Sequence, residues 1–128
     1  MALIETAIKQ SVEQEEAMMQ AIHAALMESF KVKDHAVNVR LINYELHRFL
    51  VPKNCNPECY VIISIDCFSC RSLAAKQNLY TAIVDNLSAF NIPKDHVKIV
   101  LRESSRENWG IHGGFAGCDV DVGYKINI

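Results

Sequence analysis

The chain has 128 residues, of which half are apolar and 22% are charged, and its formal net charge is -2. This length fits a single domain, 1-128, and the apolar share is that of a folded globule, which excludes a disordered chain. Thirteen Lys and Arg residues are balanced by fifteen Asp and Glu residues. Because the sequence lacks the clustered basic face that binds phosphates, we expect no nucleic-acid partner.

The amino-terminal segment does not follow the pattern of a secretory signal, since MALIETAIKQSVEQEE has no basic region followed by an apolar run. No later stretch stays apolar over the roughly 18 residues that a membrane-spanning helix needs. The five cysteines are an odd number, which suits thiols in a reducing compartment better than a disulfide framework. We therefore expect a cytoplasmic protein with free thiols and no membrane partner.

The first part of the chain predicts a strand, a helix and a second strand. After an apolar segment at 2-8, Ser11 is a suitable N-cap for a helix over 11-30. The apolar positions of that helix recur at helical spacing: Val12, Met19, Ile22, Leu26 and Phe30. A second strand is predicted at 37-44, and a linker with two prolines follows at 46-58.

The same order of elements recurs in the second part of the chain. A strand at 59-67, rich in β-branched residues, precedes a helix at 72-90 and a further strand at 96-103. When the sequence is shifted by 61 positions, identical residues coincide: Ala21-Ile22 with Ala82-Ile83, and Lys33-Asp34-His35 with Lys94-Asp95-His96. The excess over chance indicates an internal repeat of 1-45 and 59-103.

Two strand-helix-strand units in tandem predict an α+β domain built from the β-α-β fold. Because crossover connections are right-handed, the two units should give a four-stranded mixed sheet with both helices on one face. The other face would be apolar and uncovered, which favours an oligomer. The closing segment, 104-128, contains a Gly-rich loop and an alternating run, Tyr124 to Ile128, that predicts an edge strand reaching a neighbour.

Three short motifs carry a resemblance to a known family. They are Cys70-Arg71-Ser72 at the start of the second helix, Glu107-Asn108-Trp109-Gly110-Ile111-His112-Gly113-Gly114 after the last strand, and the closing DVGYKINI. With these motifs and its doubled β-α-β pattern, the whole chain resembles the tautomerase superfamily, and within it the branch of malonate semialdehyde decarboxylase. The resemblance implies a homotrimer and an isomerase or decarboxylase that acts on a small oxo acid.

Members of that superfamily use an amino-terminal proline, exposed by removal of the initiator methionine, as catalytic base or acid, and they use arginines to hold the substrate carboxylate. This chain departs from the pattern at three positions. It has Ala2 where the family has the proline, Ala36 where the decarboxylase branch has an acid, and Ser69 where that branch has a second arginine. The usual set of proton-transfer groups is therefore incomplete.

If Met1 is removed, the amine of Ala2 takes the position of the family's proline. An α-amino group has a pKa of about 8 and is partly neutral at pH 7, so it could act as a base. The resemblance thus makes the Ala2 amine the candidate catalytic group. A retained Met1 would displace that amine and could fill the pocket.

Four further residues are candidates for substrate binding. Arg71, at a helix start, suits a carboxylate held bidentately, with a surface acid as the alternative partner. Lys98 lies where smaller family members have an anion-binding arginine, with a solvated strand lysine as the alternative. Trp109 could wall a pocket or fill a subunit interface. His112 could titrate near neutral pH or simply be solvated.

A metal site is a further alternative. Four cysteines have spacings that resemble zinc-ligand pairs: Cys55, Cys59, Cys67 and Cys70. The two pairs are close together in sequence and one belongs to a strand end, so we expect no metal and no cofactor.

Two functions remain open from the sequence. The first is proton transfer on, or decarboxylation of, a small oxo acid, with Arg71 holding the carboxylate, Trp109 as pocket wall and the Ala2 amine as base. The second is a non-catalytic trimer that binds a small anion or another protein and has kept the fold without the catalytic groups.

Overall fold

The structure, a computed structural model, describes residues 1–128. It contains two α-helices and six β-strands, numbered here in chain order. They are β1 (Ala2–Thr6), α1 (Val12–Phe30), β2 (Val39–Asn43), β3 (Val61–Phe68), α2 (Leu73–Leu87), β4 (Val97–Ser104), β5 (Gly110–Ile111) and β6 (Phe115–Ala116). Neither helix combines the length and the apolarity needed to cross a bilayer.

The four longer strands form one mixed sheet in the order β2-β1-β3-β4. Strands β1 and β2 run parallel, as do β3 and β4, and the two pairs meet antiparallel where β1 adjoins β3. Both helices cover one face, because the 15-residue hydrophobic core combines their inward side chains with alternate residues of β1 and β3. The predicted α+β fold, with two β-α-β units and both helices on one face, is confirmed.

A serine cap begins each helix. The Ser11 hydroxyl accepts a hydrogen bond from the Gln14 N–H at 3.2 Å, and the Gln14 side chain accepts one from the Ser11 N–H at 2.9 Å. This reciprocal capping box satisfies two backbone groups that the first turn leaves unpaired. Ser72 caps α2 by accepting the N–H of Ala75 at 3.1 Å. Each helix therefore starts one residue after the serine that begins its predicted range.

Several elements are shorter than predicted, among them β2, which was predicted at 37-44 and spans Val39–Asn43. Helix α2 ends at Leu87 and passes into a 3₁₀ turn, which Asn91 terminates with a φ of 59°. Strand β1 ends at Thr6, whose hydroxyl accepts the N–H of Ile8 at 3.1 Å. Such a local side-chain bond competes with the sheet ladder, so the chain leaves the sheet there.

The core lies between the helices and the sheet. Its centre consists of side chains with no exposed surface, drawn from both helices and both central strands: Ile4, Met18, Ile22, Ile63, Ile65, Leu79 and Ile83. Burying each such side chain contributes about 1.5–3 kcal/mol. This packing holds the start of β1 against β3, where the amino terminus of the chain lies.

The sheet face opposite the helices is mixed in character, whereas the sequence predicted it to be apolar. Neighbouring positions across the four strands form two rows, Ile42, Glu5, Ile62 and Lys98 in one, and Arg40, Leu3, Ser64 and Val100 in the other. Arg102 is a further charged residue of β4. Its guanidinium donates to both carboxylate oxygens of Asp66, at 2.8 and 3.2 Å. Charged side chains therefore interrupt the apolar surface, because the alternation of each strand sends most of its apolar residues to the core.

The closing segment forms a short hairpin and a tail. Strands β5 and β6 pair antiparallel around the turn 112–114, whose three residues all have positive φ. The predicted edge strand, Tyr124 to Ile128, is not paired within the chain. The end of the tail is held at the start of α2, where the Ser72 hydroxyl donates to the Ile128 carbonyl at 2.8 Å.

Candidate functional site

A small cavity lies at the amino terminus, beside the end of β3. Its volume is about 60 Å³, and 11 of the 13 residues that line it are hydrophobic. We call it the amino-terminal cavity and define it by Met1, Cys67, Arg71 and Trp109. A wider groove near Tyr44, of about 850 Å³, holds none of the predicted site residues. The amino-terminal cavity is therefore the candidate site.

Backbone hydrogen bonds hold the amino terminus at this cavity. The Met1 amine donates to the Asp66 carbonyl at 3.0 Å, and the Asp66 N–H donates to the Met1 carbonyl at 2.8 Å. One residue further along, the Ala2 N–H donates to the Asn38 carbonyl at 2.8 Å, and Ala2 has no exposed surface. Removal of Met1 would leave the Ala2 amine next to the Asn38 carbonyl.

Burial lowers the pKa of the Met1 amine from its usual value of 8.0. Desolvation of the ammonium is the largest cause, and the charges of Cys67 and Asp66 oppose it. The nearby charge of Arg71 lowers this pKa further. A lowered pKa leaves more of the amine neutral at pH 7, and a neutral amine is the form that accepts a proton.

Arg71 is the buried cation of the cavity. A sharp turn at Cys70, with a φ of 92°, joins β3 to α2 just before it. Only 7% of the surface of Arg71 is exposed, its Nη1 donates to the Phe68 carbonyl at 2.9 Å, and its Cζ lies 4.6 Å from the centre of the Phe30 ring. It forms no ion pair, so the alternative of a surface-acid partner is wrong.

The Nε of Arg71 is buried and has no hydrogen-bond partner. Buried polar groups are nearly always paired, and a guanidinium suits the two oxygens of a carboxylate. The chain itself thus supplies no acceptor for this buried guanidinium donor.

Trp109 forms one wall of the cavity. Its indole Nε1 donates to the Ser104 hydroxyl at 2.9 Å, and its ring meets that of Phe68 edge-on, with the ring centres 5.0 Å apart. Gly117 packs closely behind it, since a Cβ at that position would lie 2.7 Å from the Arg106 carbonyl oxygen. Glycine at this position thus lets the loop after β4 close over the tryptophan.

Cys67 is a candidate site residue that the sequence motifs did not indicate. It follows Ile63 and Ile65 on the helix-facing side of β3 and lines the cavity together with Met1 and Arg71. Burial raises the pKa of its thiol above the usual 9.0, and the charge of Arg71 opposes this rise. The period-two pattern of the strand was the available signal, because every second residue after Ile63 faces the helices.

Two predicted binding residues lie outside the amino-terminal cavity. Lys98 is exposed near the start of β4, on the sheet face away from the helices, and His112 is exposed in the turn between β5 and β6. Neither lines the cavity of its own chain, whereas Ala36, where the resemblance placed the acid of the decarboxylase branch, does. The structure therefore brings together the amino terminus, Arg71 and Trp109 only.

The five cysteines are free thiols. No group of three or more His, Cys, Asp or Glu side chains is placed to hold a metal ion. The cysteines at the four positions considered as zinc ligands are thus not gathered into a site.

Several solved structures share this fold. Malonate semialdehyde decarboxylase is similar with a TM-score of 0.84 at 17% sequence identity, covering 94% of this chain and 99% of that chain. A malonate semialdehyde decarboxylase inhibited by 3-bromopropiolate is similar with a TM-score of 0.81 at 22% sequence identity, and the match covers 91% of this chain and 92% of that chain. A fused 4-OT in an asymmetric trimer is similar with a TM-score of 0.82 at 13% sequence identity, and the match covers 92% of this chain and 96% of that chain. At these identities the likeness shows the fold.

The family follows from the sequence itself. No curated protein matches the chain significantly. Residues 39–112, more than half of the chain, match the family described as tautomerase enzyme. This range contains β3, Arg71 and Trp109, and six of the 13 residues that line the cavity described above. The chain therefore belongs to the tautomerase superfamily.

Proposed function

We propose that this chain binds a small oxo acid in the amino-terminal cavity and catalyses proton transfer on it, without a cofactor. The observation that carries the proposal is the buried guanidinium of Arg71, which has an unpaired Nε and forms no ion pair. A carboxylate would satisfy that donor with a charge-assisted hydrogen bond, and such bonds are stronger than those between neutral groups. The substrate class is therefore a small carboxylic acid.

The base in this proposal is the amino-terminal amine. Burial already lowers the pKa of the Met1 amine, and removal of Met1 would place the Ala2 amine in the same apolar surroundings. The Asn38 carbonyl, which accepts the Ala2 N–H at 2.8 Å, would orient it. An oriented amine with part of its population neutral can remove a proton from a bound acid.

Removal of Met1 also bears on the size of the site. A cavity of about 60 Å³ holds about two water molecules, whereas ligand pockets are usually several hundred cubic ångströms. Met1 lines this cavity, so its loss would enlarge the space next to Arg71. Processing of the terminus is thus the step that would make the site competent.

The second candidate is a non-catalytic protein that binds a small anion. Two observations favour it: Ala36, where the decarboxylase branch has an acid, lines the cavity, and the cavity beside an intact Met1 is far smaller than the usual ligand pocket. Decarboxylation, which the malonate semialdehyde decarboxylases perform, is tested with the same chain by using oxaloacetate as substrate.

Turnover of phenylenolpyruvate or oxaloacetate should be measurable with Met1 removed and absent with Met1 retained. Both forms can be verified by intact mass. Because the base is the neutral amine, activity of the processed chain should rise with pH and reach half its maximum below 8.0, the usual pKa of such an amine. If both forms are inactive while the processed form binds the acid, the non-catalytic function is correct.

We also expect the chain to be a homotrimer. On the sheet face away from the helices, Ile42 and Val100 are 43% and 42% exposed, and Leu3 and Ile62 lie between them in the strand register. Assembly around a threefold axis would cover these side chains, and the fused 4-OT of this fold is a trimer. Light scattering at micromolar concentration should give three times the chain mass of 14.4 kDa. A stable monomer would contradict this assembly, and with it any role of a neighbouring Lys98 or His112 in the site.

A further inference from the structure

We propose that the Cys67 thiol is a second catalytic residue of the amino-terminal cavity and delivers a proton to the substrate carbon while the amine accepts one from the substrate oxygen. This inference rests on the proton-transfer function proposed above. In this scheme the amine accepts one proton and the thiol donates another, whereas a single amine would have to carry out both proton transfers one after the other.

The position of Cys67 supports this role. It lies near the end of β3 on the helix-facing side, two residues beyond Ile65, and it lines the same cavity as Met1, Arg71 and Trp109. Ala2 of β1 lies opposite Ile65 of β3 in the sheet. A terminus that begins at Ala2 would therefore remain beside this part of β3. The thiol and the amine would therefore both lie at this cavity, together with the guanidinium of Arg71.

Arg71 provides independent support for a ligand at this thiol. Its side chain is more than nine-tenths buried, it lines the cavity, and its Nε has no partner. A carboxylate bound there would hold an oxo acid by one end and leave the carbonyl and the adjacent carbon to face the remaining cavity residues. Cys67 is one of only a few of those residues with an exchangeable proton.

The surroundings of the two groups move their pKa values in opposite directions. With Met1 retained, burial lowers the pKa of the Met1 amine and raises that of the Cys67 thiol. The charged groups that face the thiol are Arg71, Glu103, the amino terminus and Lys76, and of these only Glu103 raises its pKa. If the Ala2 amine of the processed chain is buried to the same degree, it would be partly neutral at pH 7 while the thiol keeps its proton, the pattern expected of a base and acid pair.

The reaction balances without any other reactant. In the ketonisation of an enol of a 2-oxo acid, the neutral amine takes the O–H proton, and the O–H electron pair becomes the π bond of the carbonyl. The electron pair of the C=C bond forms a C–H bond with the proton of the Cys67 thiol. The products are the keto acid, an ammonium and a thiolate, and the ammonium then returns its proton to the thiolate through solvent.

The test compares Cys67→Ala with Cys70→Ser in the processed chain, using phenylenolpyruvate. Cys70 is the matched control, because it is exposed and does not line the cavity. Cys67→Ala should lower kcat by about 10² to 10⁴-fold with little change in KM, the usual range for a positioned acid or base. Cys70→Ser should leave both constants unchanged.

Two further measurements separate proton donation from a structural role. In D₂O the wild type should place deuterium on one face of the product carbon, and Cys67→Ala should lose this stereospecificity. Because the thiol must be protonated, wild-type activity should also fall as pH rises above 9.0, its usual pKa, and this descending limb should be missing in Cys67→Ala. Melting curves of the variants check that each is folded.

The outcomes distinguish the two proposals. If the wild type is active and Cys67→Ala keeps its kcat, its stereospecificity and the descending limb, then Cys67 is not the donor and the proposed function stands. If the processed wild type turns over no enol, the proposed function is wrong and the donor role is refuted with it.

Discussion

Replacing Arg71 by Ala should weaken the binding of a small 2-oxo acid by about 10- to 150-fold. This range follows from the roughly 1.5–3 kcal/mol that a hydrogen bond to a charged group contributes. The buried Nε of Arg71 has no partner within the chain, and in the proposed function a bound carboxylate is the acceptor for the guanidinium that this substitution removes. Isothermal titration calorimetry on the processed chain gives the dissociation constants directly.

Two variants accompany Arg71→Ala. Arg71→Lys keeps the charge but not the planar fork, so it should bind with intermediate affinity. Arg48→Ala removes an exposed arginine outside the cavity and should bind like the wild type. Because Arg71 also bonds the Phe68 carbonyl and packs on the Phe30 ring, a melting curve must show that Arg71→Ala is folded. A folded Arg71→Ala with wild-type affinity would show that the carboxylate binds elsewhere.

The arrangement of helices and strands could be predicted because local signals and tertiary packing agree in this chain. Ser11 and Ser72 cap the helices that they were expected to begin, and the apolar residues at helical spacing, among them Ile22 and Ile83, lie in the core without exposed surface. A sequence in which capping, periodicity and burial point to one structure leaves few alternatives. The internal repeat indicated in addition that the chain contains two strand-helix-strand units of the same kind.

The mixed face of the sheet could not be predicted in the same way. The segments CYVIISIDC and HVKIVLR are apolar on average, but register decides which of their residues share a face. The pairing of Ile62 with Lys98 and of Leu3 with Arg40 depends on how the strands align, and composition does not contain that alignment. The prediction of an apolar face therefore failed, although the fold was right.

The candidate site was predicted in part. Motif positions indicated Arg71 and Trp109, which line one cavity, but motifs compare positions along a chain and do not show which side chains face a common space. Lys98 and His112 therefore stand apart from that cavity in the single chain, and Cys67, which carries no motif, lines it. The burial of Arg71, which distinguishes it from a surface arginine, follows only from the packing around the start of α2.

Replacing Ala2 by Pro in a chain with Met1 removed should raise tautomerase activity by about 10² to 10⁴-fold, provided that the rest of the site is intact. This is the range that general base catalysis usually contributes. The ring of an amino-terminal proline fixes its secondary amine in one orientation. The primary amine of Ala2 is held only by one hydrogen bond, to the Asn38 carbonyl. Initial rates with phenylenolpyruvate measure the effect.

The state of the terminus supplies the controls for Ala2→Pro. With Met1 retained, the substituted proline would have no N–H to donate to the Asn38 carbonyl, a bond that Ala2 makes at 2.8 Å, so this form should gain nothing. Ala2→Gly keeps a primary amine and should stay near the wild-type rate. If the processed Ala2→Pro chain is no faster, the acid missing at Ala36 and the arginine missing at Ser69 must limit the rate, which favours the non-catalytic function. If the wild type already matches the variant, the amino-terminal amine is not the group that limits catalysis, and another base in the cavity must be sought.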